Sequence, residues 1–382
     1  ARYVLLRYHE VGLKGKNRPF FLEHLVRNVR RATQGLGVRR VWRGQGMIGV
    51  ALEERADWEA VREALGTVFG VVKMALALRV PPDLERLKEA IGRAVAERRF
   101  SSFRITTARS DKSFPLTSQE VNVELGAFVQ GRTGARVDLT HPEMTVYVDI
   151  LPKEAYYYFD PLPGPGGLPV GTGGRVACLL SGGIDSPIAA YRMLKRGCQV
   201  TFIHFHSFPL VDASSREKAV ELVDLLDRHQ GGSRLYLVPF AEVQKRIIVS
   251  VPPPSRVVLY RRFMLRIAER LAERERAGAL VTGDSLGQVA SQTLENIAAI
   301  DAVASLPIFR PLIGMDKVEI IQQAVGVGTY PISILPDQDC CTLFVPKHPA
   351  TRLTEAQAAA LETPLDVEEL VRIAVEEAEL LD

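Results

Sequence analysis

Two stretches of the chain carry residue types that can do chemistry together. In the first, the apolar run Val176-Ala177-Cys178-Leu179-Leu180 ends in Ser181-Gly182-Gly183-Ile184-Asp185-Ser186, and a helical pattern opens at Ser186. Glycines let backbone N–H groups approach a ligand closely, the hydroxyls of Ser181 and Ser186 add donors, and a helix start adds partial positive charge. This strand–turn–helix suits a phosphate or pyrophosphate, and it is not a Walker loop, because no Gly-Lys-Ser/Thr follows. Asp185 within the turn suits positioning of Mg²⁺ or phosphate, and a plain helix cap would also account for it. The second stretch is Cys340-Cys341, which follows a loop rich in Pro and Asp (Pro336, Asp337, Asp339). Adjacent cysteines cannot easily close a relaxed disulfide with each other. Two buried thiols, half of a metal site or a persulfide-carrying nucleophile remain open, although ligand spacing for a metal is lacking and no resident metal is expected. Cys178, inside a strand, and Cys198, between a helix end and the next strand, read as packing residues. Lys317 opens a helix after Gly314-Met315-Asp316 and by itself would pass for a surface lysine.

The elements that must position these groups alternate. Strands are expected at 175–180, 199–205, 234–239 and 278–283, and helices at about 186–196, 214–229, 241–249 and 255–276. This is the pattern of a doubly wound parallel sheet, in which ligands bind at the carboxyl ends of the strands. At that edge fall the glycine loop, His204-Phe205-His206-Ser207, Thr282-Gly283-Asp284-Ser285-Leu286-Gly287-Gln288 and Ser291-Gln292-Thr293. The helix bearing Tyr260-Arg261-Arg262-Phe263-Met264 could reach an arginine back to it. Helical patterns at 354–361 and 366–380 close the chain.

The Pro/Gly segment 161–174 marks a junction before this catalytic region, 175–382. Ahead of it, residues 1–55 suggest a ferredoxin-like α+β module, with a strand at 2–8, a helix from Pro19 to Thr33 and strands at 38–43 and 47–52. Helix 56–66 and strand 70–79 continue the same ferredoxin-type alternation up to a further boundary at Pro81-Pro82, while the second module is drawn over residues 56–160, with helix 83–98, strand 103–109, helix 118–130 and strands at 135–139 and 144–151.

At 382 residues, with 24% charged and 47% hydrophobic residues, the chain is an ordinary multidomain globular sequence. No run approaches the ~20 apolar residues of a membrane span, and no signal peptide is expected. Four cysteines without a secretory signal point to a reducing cytoplasm. The chain opens on Ala1 with no initiator methionine, so processing or trimming of this end is expected. The net charge of +3 hides an asymmetry: residues 1–50 hold eleven Lys/Arg against Glu10 and Glu23. Residues 351–382 hold nine acids against Arg352 and Arg372. A basic front half suits a polyanion, with nucleic acid foremost, although arginines such as Arg39, Arg40 and Arg43 could simply solvate an exposed face.

Ser181-Gly182-Gly183-Ile184-Asp185-Ser186 resembles the PP-loop of ATP pyrophosphatases, which cleave ATP to AMP and pyrophosphate while adenylating a substrate. Residues 57–160, with Arg104 and Arg109 on a strand and Lys112-Ser113-Phe114 in a loop, resemble a THUMP domain, which implies tRNA recognition. Taken with His204-Phe205-His206-Ser207, Tyr260–Met264, Thr282–Thr293, Met315-Asp316-Lys317, Asp339–Phe344 and Pro346-Lys347-His348-Pro349, the whole chain resembles the tRNA 4-thiouridine synthetase (ThiI, tRNA sulfurtransferase) family. The resemblance implies that ATP lies against Leu179, Leu180, His204, Phe205, Arg261, Gly283 and Gln292, with Ser181, Gly182, Gly183, Asp185 and Ser186 at its phosphates. It implies that Lys317 serves adenylation and that Cys341, with Cys340 as the near alternative, carries a persulfide. Phosphate contacts to tRNA fall to Lys14, Lys16, Arg18, Arg104, Arg109 and Lys112. ATP and Mg²⁺ are the implied cofactors.

Some relatives carry a C-terminal rhodanese domain with a second catalytic cysteine. No Cys follows Cys341, so sulfur is expected from a separate persulfide donor, a cysteine desulfurase, or as sulfide. Transfer to a sulfur-carrier protein of thiamine synthesis and a homodimer, in which one chain's tRNA-binding half serves the other's active site, are further expectations. Two rivals differ in class: another PP-loop enzyme, such as a tRNA thiolase acting on cytidine or an amidating synthetase (for the latter no glutaminase or ammonia source is visible), and a tRNA-binding protein gated by ATP, against which Lys317 and the cysteine pair argue.

Overall fold

The computed structural model describes residues 2–336 and 348–382, so Cys340 and Cys341 lie outside the described residues. The chain divides into two compact units, Ala1–Leu168 and Pro169–Asp382.

The first unit is built on one nine-stranded sheet. Its elements are β1 (Arg2–Arg7), α1 (Arg18–Ala32), β2 (Val38–Gly44), β3 (Met47–Leu52), α2 (Trp58–Leu65), β4 (Lys73–Val80) and α3 (Leu84–Ala96). They continue with β5 (Ser102–Arg109), α4 (Ser118–Thr133), β6 (Arg136–Val137), β7 (Met144–Ile150), β8 (Ala155–Tyr158) and β9 (Leu162–Pro163). The strand order is β2-β3-β1-β4-β8-β7-β5-β6, with β9 paired to β4. Period-two alternation sends Val4 and Leu6 of β1 to the core that Leu25, Val26 and Val29 of α1 cover, while Tyr3 and Leu5 join Ala75, Ala77 and Tyr156 in a separate cluster. Val61, Leu65 and Met74 share the core with Val4 and Leu6, so the segment 58–74, grouped above with the second module, packs with the first. The second core gathers Leu87 and Ile91 of α3, Val121 and Leu125 of α4, and Ile105, Val146 and Val148. The expected strand at 135–139 shortens to Arg136–Val137, and β8 is an addition.

The Pro/Gly junction is tied at both ends. Gly164 and Gly166 donate backbone bonds of 2.8 Å to Val72 and Val71 in the first unit, while Gly171 and Gly173 each donate one of 2.8 Å to the Gly197 carbonyl in the second.

The second unit contains β10 (Arg175–Leu179), α5 (Asp185–Lys195), β11 (Gln199–His206), α6 (Ser214–Gln230), β12 (Arg234–Pro239), α7 (Ala241–Ser250), α8 (Arg256–Arg274) and β13 (Leu280–Val281). After them come α9 (Leu294–Asp301), β14 (Ile308–Phe309), α10 (Lys317–Val327), α11 (Tyr330–Ser333), α12 (Glu355–Glu362), α13 (Val367–Glu376) and β15 (Glu379–Leu381). Among the described residues the sheet order is β14-β13-β10-β11-β12-β15, parallel except for β15, which pairs antiparallel with β12. The final helix expected over 366–380 thus ends at Glu376, and the chain turns back as an edge strand. Helix α8 is the central prop: Leu259, Tyr260, Phe263, Ile267 and Leu271 are fully buried against the sheet. No described helix is long and apolar enough to cross a membrane.

Candidate nucleotide site at the sheet edge

Strand β10 delivers the glycine loop to the carboxyl edge of the sheet. Leu180 N–H donates to Ile203 O at 2.8 Å, holding the exit from β10 against β11. The loop is then closed by its own serines. Ser186 Oγ accepts from Ser181 N–H at 2.8 Å and lies 3.0 Å from Ser181 Oγ, and Ser181 Oγ in turn accepts from Gly183 N–H at 3.3 Å. Helix α5 starts one residue earlier than the pattern suggested, at Asp185, without a side-chain cap.

Asp185 is not a helix cap. Its carboxylate accepts from Lys317 Nζ at 2.6 Å on Oδ1 and from Gln288 Nε2 at 2.8 Å on Oδ2. Lys317 is brought there because it opens α10, where Asp316 and Glu319 form a capping box that fixes the helix start. Gly283 meets the loop from the next strand over. A Cβ there would lie 2.6 Å from Ser186 N, so only glycine lets the β13 end pass so close to the loop.

Behind the loop lies a buried charge cluster. Asp284 pairs with Arg261 on Oδ1 and with Arg310 Nε at 3.1 Å on Oδ2. It also accepts from Thr282 Oγ1 at 2.7 Å and Gln292 Nε2 at 3.1 Å. Burial pushes the Asp284 carboxyl up, but Arg261, Thr282 and Arg310 outweigh it and hold the group ionised well below the usual carboxylate range. Arg310 is also held by Asp301. Asp284 therefore aims Arg261 and Gln292 at the cleft, and the Gln292 Oε1 atom is left buried without a hydrogen-bond partner. An unsatisfied acceptor of this kind points to a donor supplied by a ligand.

The resulting cavity, of about 250 Å³, is lined by Leu179, Leu180, Ser181, Asp185, Ser186, Phe205, Arg261, Gly283 and Gln292 together with Val257, Met264, Thr282, Asp284 and Ser291. The fold thus brings together nine of the residues that the family resemblance assigned to ATP. Gly182 and Gly183 sit in the loop between Ser181 and Asp185. His204 lies behind the wall: it is buried, and its Nδ1–H donates to Leu180 O at 2.9 Å, bracing the loop rather than lining the cavity. Phe205 is backed edge-to-face by Phe240, with centroids 5.4 Å apart.

Sequence reasoning missed three contributors. Asp284 and Gln288 stood inside a quoted block without an assigned role, and Arg310, at the end of a two-residue strand, carried no signal. Ser333 is the fourth link, since its Oγ donates to the Gly183 carbonyl at 3.3 Å. The buried Lys218 of α6 donates to Ser333 O at 3.3 Å and Leu335 O at 2.5 Å, fixing the chain just ahead of 337–347. Past that segment, Thr293 Oγ1 donates to Thr351 O at 2.7 Å and Asn296 Nδ2 to Ala350 O at 2.8 Å. The described residues before 337 and after 347 are therefore tied, Ser333 to the glycine loop and Ala350 and Thr351 to Asn296 and Thr293 beside Gln292. Cys178 and Cys198 are buried, and burial pushes their thiols up, Cys178 to about 12, so neither is a ready nucleophile. Among the described residues no His/Cys/Asp/Glu cluster could hold a metal by itself.

In the first unit the six candidate RNA contacts fall on several elements. Lys16 is exposed on the short 3-10 helix Gly15–Asn17, and Lys112 is exposed in a turn. Lys14 sits over the Phe21 ring at 4.9 Å, and Arg18 donates to Tyr8 OH at 2.9 Å. Arg104 and Arg109 are engaged with backbone: Arg104 donates to Leu139 O at 3.1 Å, and Arg109 donates to Phe114 O at 2.8 Å and Leu116 O at 3.0 Å.

Comparison with known proteins agrees along the whole length. The family description "Thiamine biosynthesis protein (ThiI)" matches residues 171–367, a ThiI ferredoxin-like domain matches 3–75 and a THUMP domain matches 81–160. A probable tRNA sulfurtransferase of Thermus thermophilus is 54% identical over 98% of this chain and 92% of its own. One from Moorella thermoacetica is 47% identical over 99% of this chain and 97% of its own. Among solved structures, a 4-thiouridine synthetase–RNA complex with bound ATP superposes with a TM-score of 0.90 at 36% identity, covering 100% of this chain and 99% of the other.

Proposed function

The chain belongs to the ThiI family, and on that premise we propose that it is an ATP-dependent tRNA sulfurtransferase that converts a tRNA uridine to 4-thiouridine. The observation that supports this reading is that described residues on either side of 337–347 are tied next to the nucleotide cleft, Ser333 to Gly183 and Thr351 to Thr293. Activation and sulfur delivery then share one sheet edge.

In this reading the glycine loop and Arg261 hold the ATP phosphates while uridine O4 attacks the α-phosphorus and pyrophosphate leaves. Lys317 offsets the charge that develops on the α-phosphate. Mg²⁺ would enter with the phosphates: Asp185 is the carboxylate open to the cleft, since Asp284 is committed to Arg261 and Arg310. The terminal sulfur of a Cys341 persulfide attacks C4, the C4–O bond breaks and AMP departs. A second thiolate cleaves the remaining S–S bond, either an external thiol, which leaves a mixed disulfide on Cys341, or Cys340, which leaves a strained vicinal disulfide, and an external reductant returns that disulfide to thiols with two electrons. A cysteine desulfurase supplies the persulfide, and the same sulfur could pass to a thiamine-pathway carrier protein. The ferredoxin-like and THUMP modules hold tRNA through its phosphates, in a homodimer.

Mass spectrometry of nucleosides from tRNA incubated with protein, ATP, Mg²⁺ and a persulfide donor tests the whole. 4-Thiouridine is the expected product, and its absence overturns the reading. Cys341→Ala should retain ATP–pyrophosphate exchange with tRNA but lose thiolation; full thiolation by this variant would remove Cys341 from the nucleophile's place.

A further inference from the structure

We propose that Gln288 recognises the base to be modified: its Oε1 accepts the N3–H of the target uracil and so sets O4 beside the α-phosphate. The proposal rests on the 4-thiouridine reading above and deepens it, since that reading leaves the uracil ring without a protein contact.

Gln288 lies in the loop between β13 and α9, and the loop is tied down on both sides of it. Ser285 Oγ donates to Met315 O at 2.7 Å, Leu286 N–H to Ile313 O at 3.0 Å and Gly287 N–H to Gln292 O at 2.8 Å. The Gln288 side chain is half-buried, and its Nε2 donates to Asp185 Oδ2 at 2.8 Å, while Lys317 holds the other carboxylate oxygen. That bond fixes which way the amide faces, because turning it over would set two acceptors against each other. Oε1 therefore faces away from the carboxylate, and it is buried without a hydrogen-bond partner among the described residues. A shielded acceptor of this kind carries its full desolvation cost unless a donor reaches it.

The reaction itself names the donor. The ATP phosphates, held in this reading by the glycine loop that carries Asp185, are acceptors. On its reacting edge uracil has one donor, N3–H, adjacent to O4, whereas cytosine has an acceptor at N3 and is repelled by the same amide oxygen. Leu286 and Val289 flank Gln288 in the loop and are each 52% exposed, apolar side chains suited to the face of a base taken out of its stack, and their rotamers can change as it packs on them to reach Oε1. The contact also serves the chemistry. As O4 bonds to the α-phosphorus and pyrophosphate leaves, positive charge builds at N3–H, its proton passes to water and a C4=N3 double bond forms. N3 regains a proton from water once sulfur has replaced AMP at C4. An acceptor on N3–H therefore holds the transition state of adenylation more tightly than the ground state.

The test compares the full chain with its Gln288→Met variant, of similar length but without the acceptor, on two tRNA transcripts. One carries uridine and the other 5-fluorouridine, whose ring fluorine makes N3–H more acidic. Pyrophosphate release in a single turnover, at saturating tRNA and ATP, is the readout. With uridine the variant should be slower by roughly 10²-fold, the usual loss when one group that meets developing charge is removed. With 5-fluorouridine, which needs the acceptor less, the loss should shrink to about tenfold or less, a coupling that a merely structural role does not produce. An equal loss with both transcripts would show that Gln288 only holds Asp185, or meets a metal-bound water instead of the base, and it overturns the proposal, as does a variant as fast as wild type. Gln288→Ala serves the same comparison should the methionine disturb the loop. Absence of tRNA-dependent pyrophosphate release from the wild type would instead overturn the functional reading beneath it.

Discussion

Lys317 Nζ lies 2.6 Å from Asp185 Oδ1, joining the first residue of α10 to the first residue of α5 across the mouth of the nucleotide cavity. The side chains are 42% and 19% exposed, so the pair is screened by solvent and contributes on the order of 1 kcal/mol or less to stability. A lysine held this way is available to exchange its carboxylate for a phosphate. Lys317→Ala should therefore leave the unfolding midpoint nearly unchanged while lowering ATP–pyrophosphate exchange by roughly 10²–10³-fold, the usual loss when one donor to developing charge is removed. A variant that exchanges pyrophosphate at the wild-type rate would show that Lys317 only salt-bridges.

Asp284 predicts the opposite balance. It is almost wholly buried and is the shared anion of Arg261 and Arg310. Removing one partner of such a cluster strands the others without counter-charge, which typically costs about 3–5 kcal/mol. Asp284→Asn, of nearly the same shape, should lower the denaturation midpoint clearly and also raise the KM for ATP, because Arg261 and Gln292 lose the group that aims them. Urea unfolding and ATP titration measure the two effects, and a variant as stable as wild type would show that the arginines find other partners.

How much of this was legible in the sequence differs by element. The loop Ser181–Ser186 was readable because glycine, serine and aspartate at the end of an apolar run have one physical use there, and family resemblance placed most of the cavity wall with it. The Asp185–Lys317 contact itself was not, since nothing in local periodicity brings α5 and α10 together. Arg310 was invisible for a related reason: it follows a strand of two residues, and its meaning lies in a buried pair formed only by packing. The last strand, Glu379–Leu381, was hidden by the helical periodicity of Leu370, Val371 and Ala374 before it, and its edge pairing with β12 is a tertiary choice. The boundary between the early modules is likewise a matter of packing: α2 and β4 follow a turn in sequence, and Val61, Leu65 and Met74 share the core of Val4 and Leu6.

Gly283 should be intolerant of even one methyl group. The Cβ of alanine would sit 2.6 Å from Ser186 N and 2.8 Å from Ser186 Cα, both backbone atoms that cannot rotate aside. The glycine loop must then shift, at a cost of about 1–3 kcal/mol. Gly283→Ala should weaken ATP binding at least tenfold, whereas Gly278→Ala, where an added Cβ meets nothing within 4 Å, should be close to neutral. Isothermal titration with ATP separates them, and equal affinities would mean that the loop adapts.

His206 gives the molecule a stability loss on mild acidification. It ends β11 in a buried position, its Nδ1 has no hydrogen-bond partner, and burial together with Arg216 and His204 pushes its pKa down to about 4 from an ordinary 6.5. Between those values the unfolded chain binds a proton that the folded chain refuses, so stability falls as pH drops. The contribution is fully present above about pH 6.5 and is lost progressively as pH falls through about 4. His206→Gln removes the titration and should flatten this part of the pH dependence. Urea unfolding of both proteins at pH 7 and pH 5 measures it: the wild type should lose more stability between the two than the variant, and identical losses would show that His206 is protonated in place without penalty.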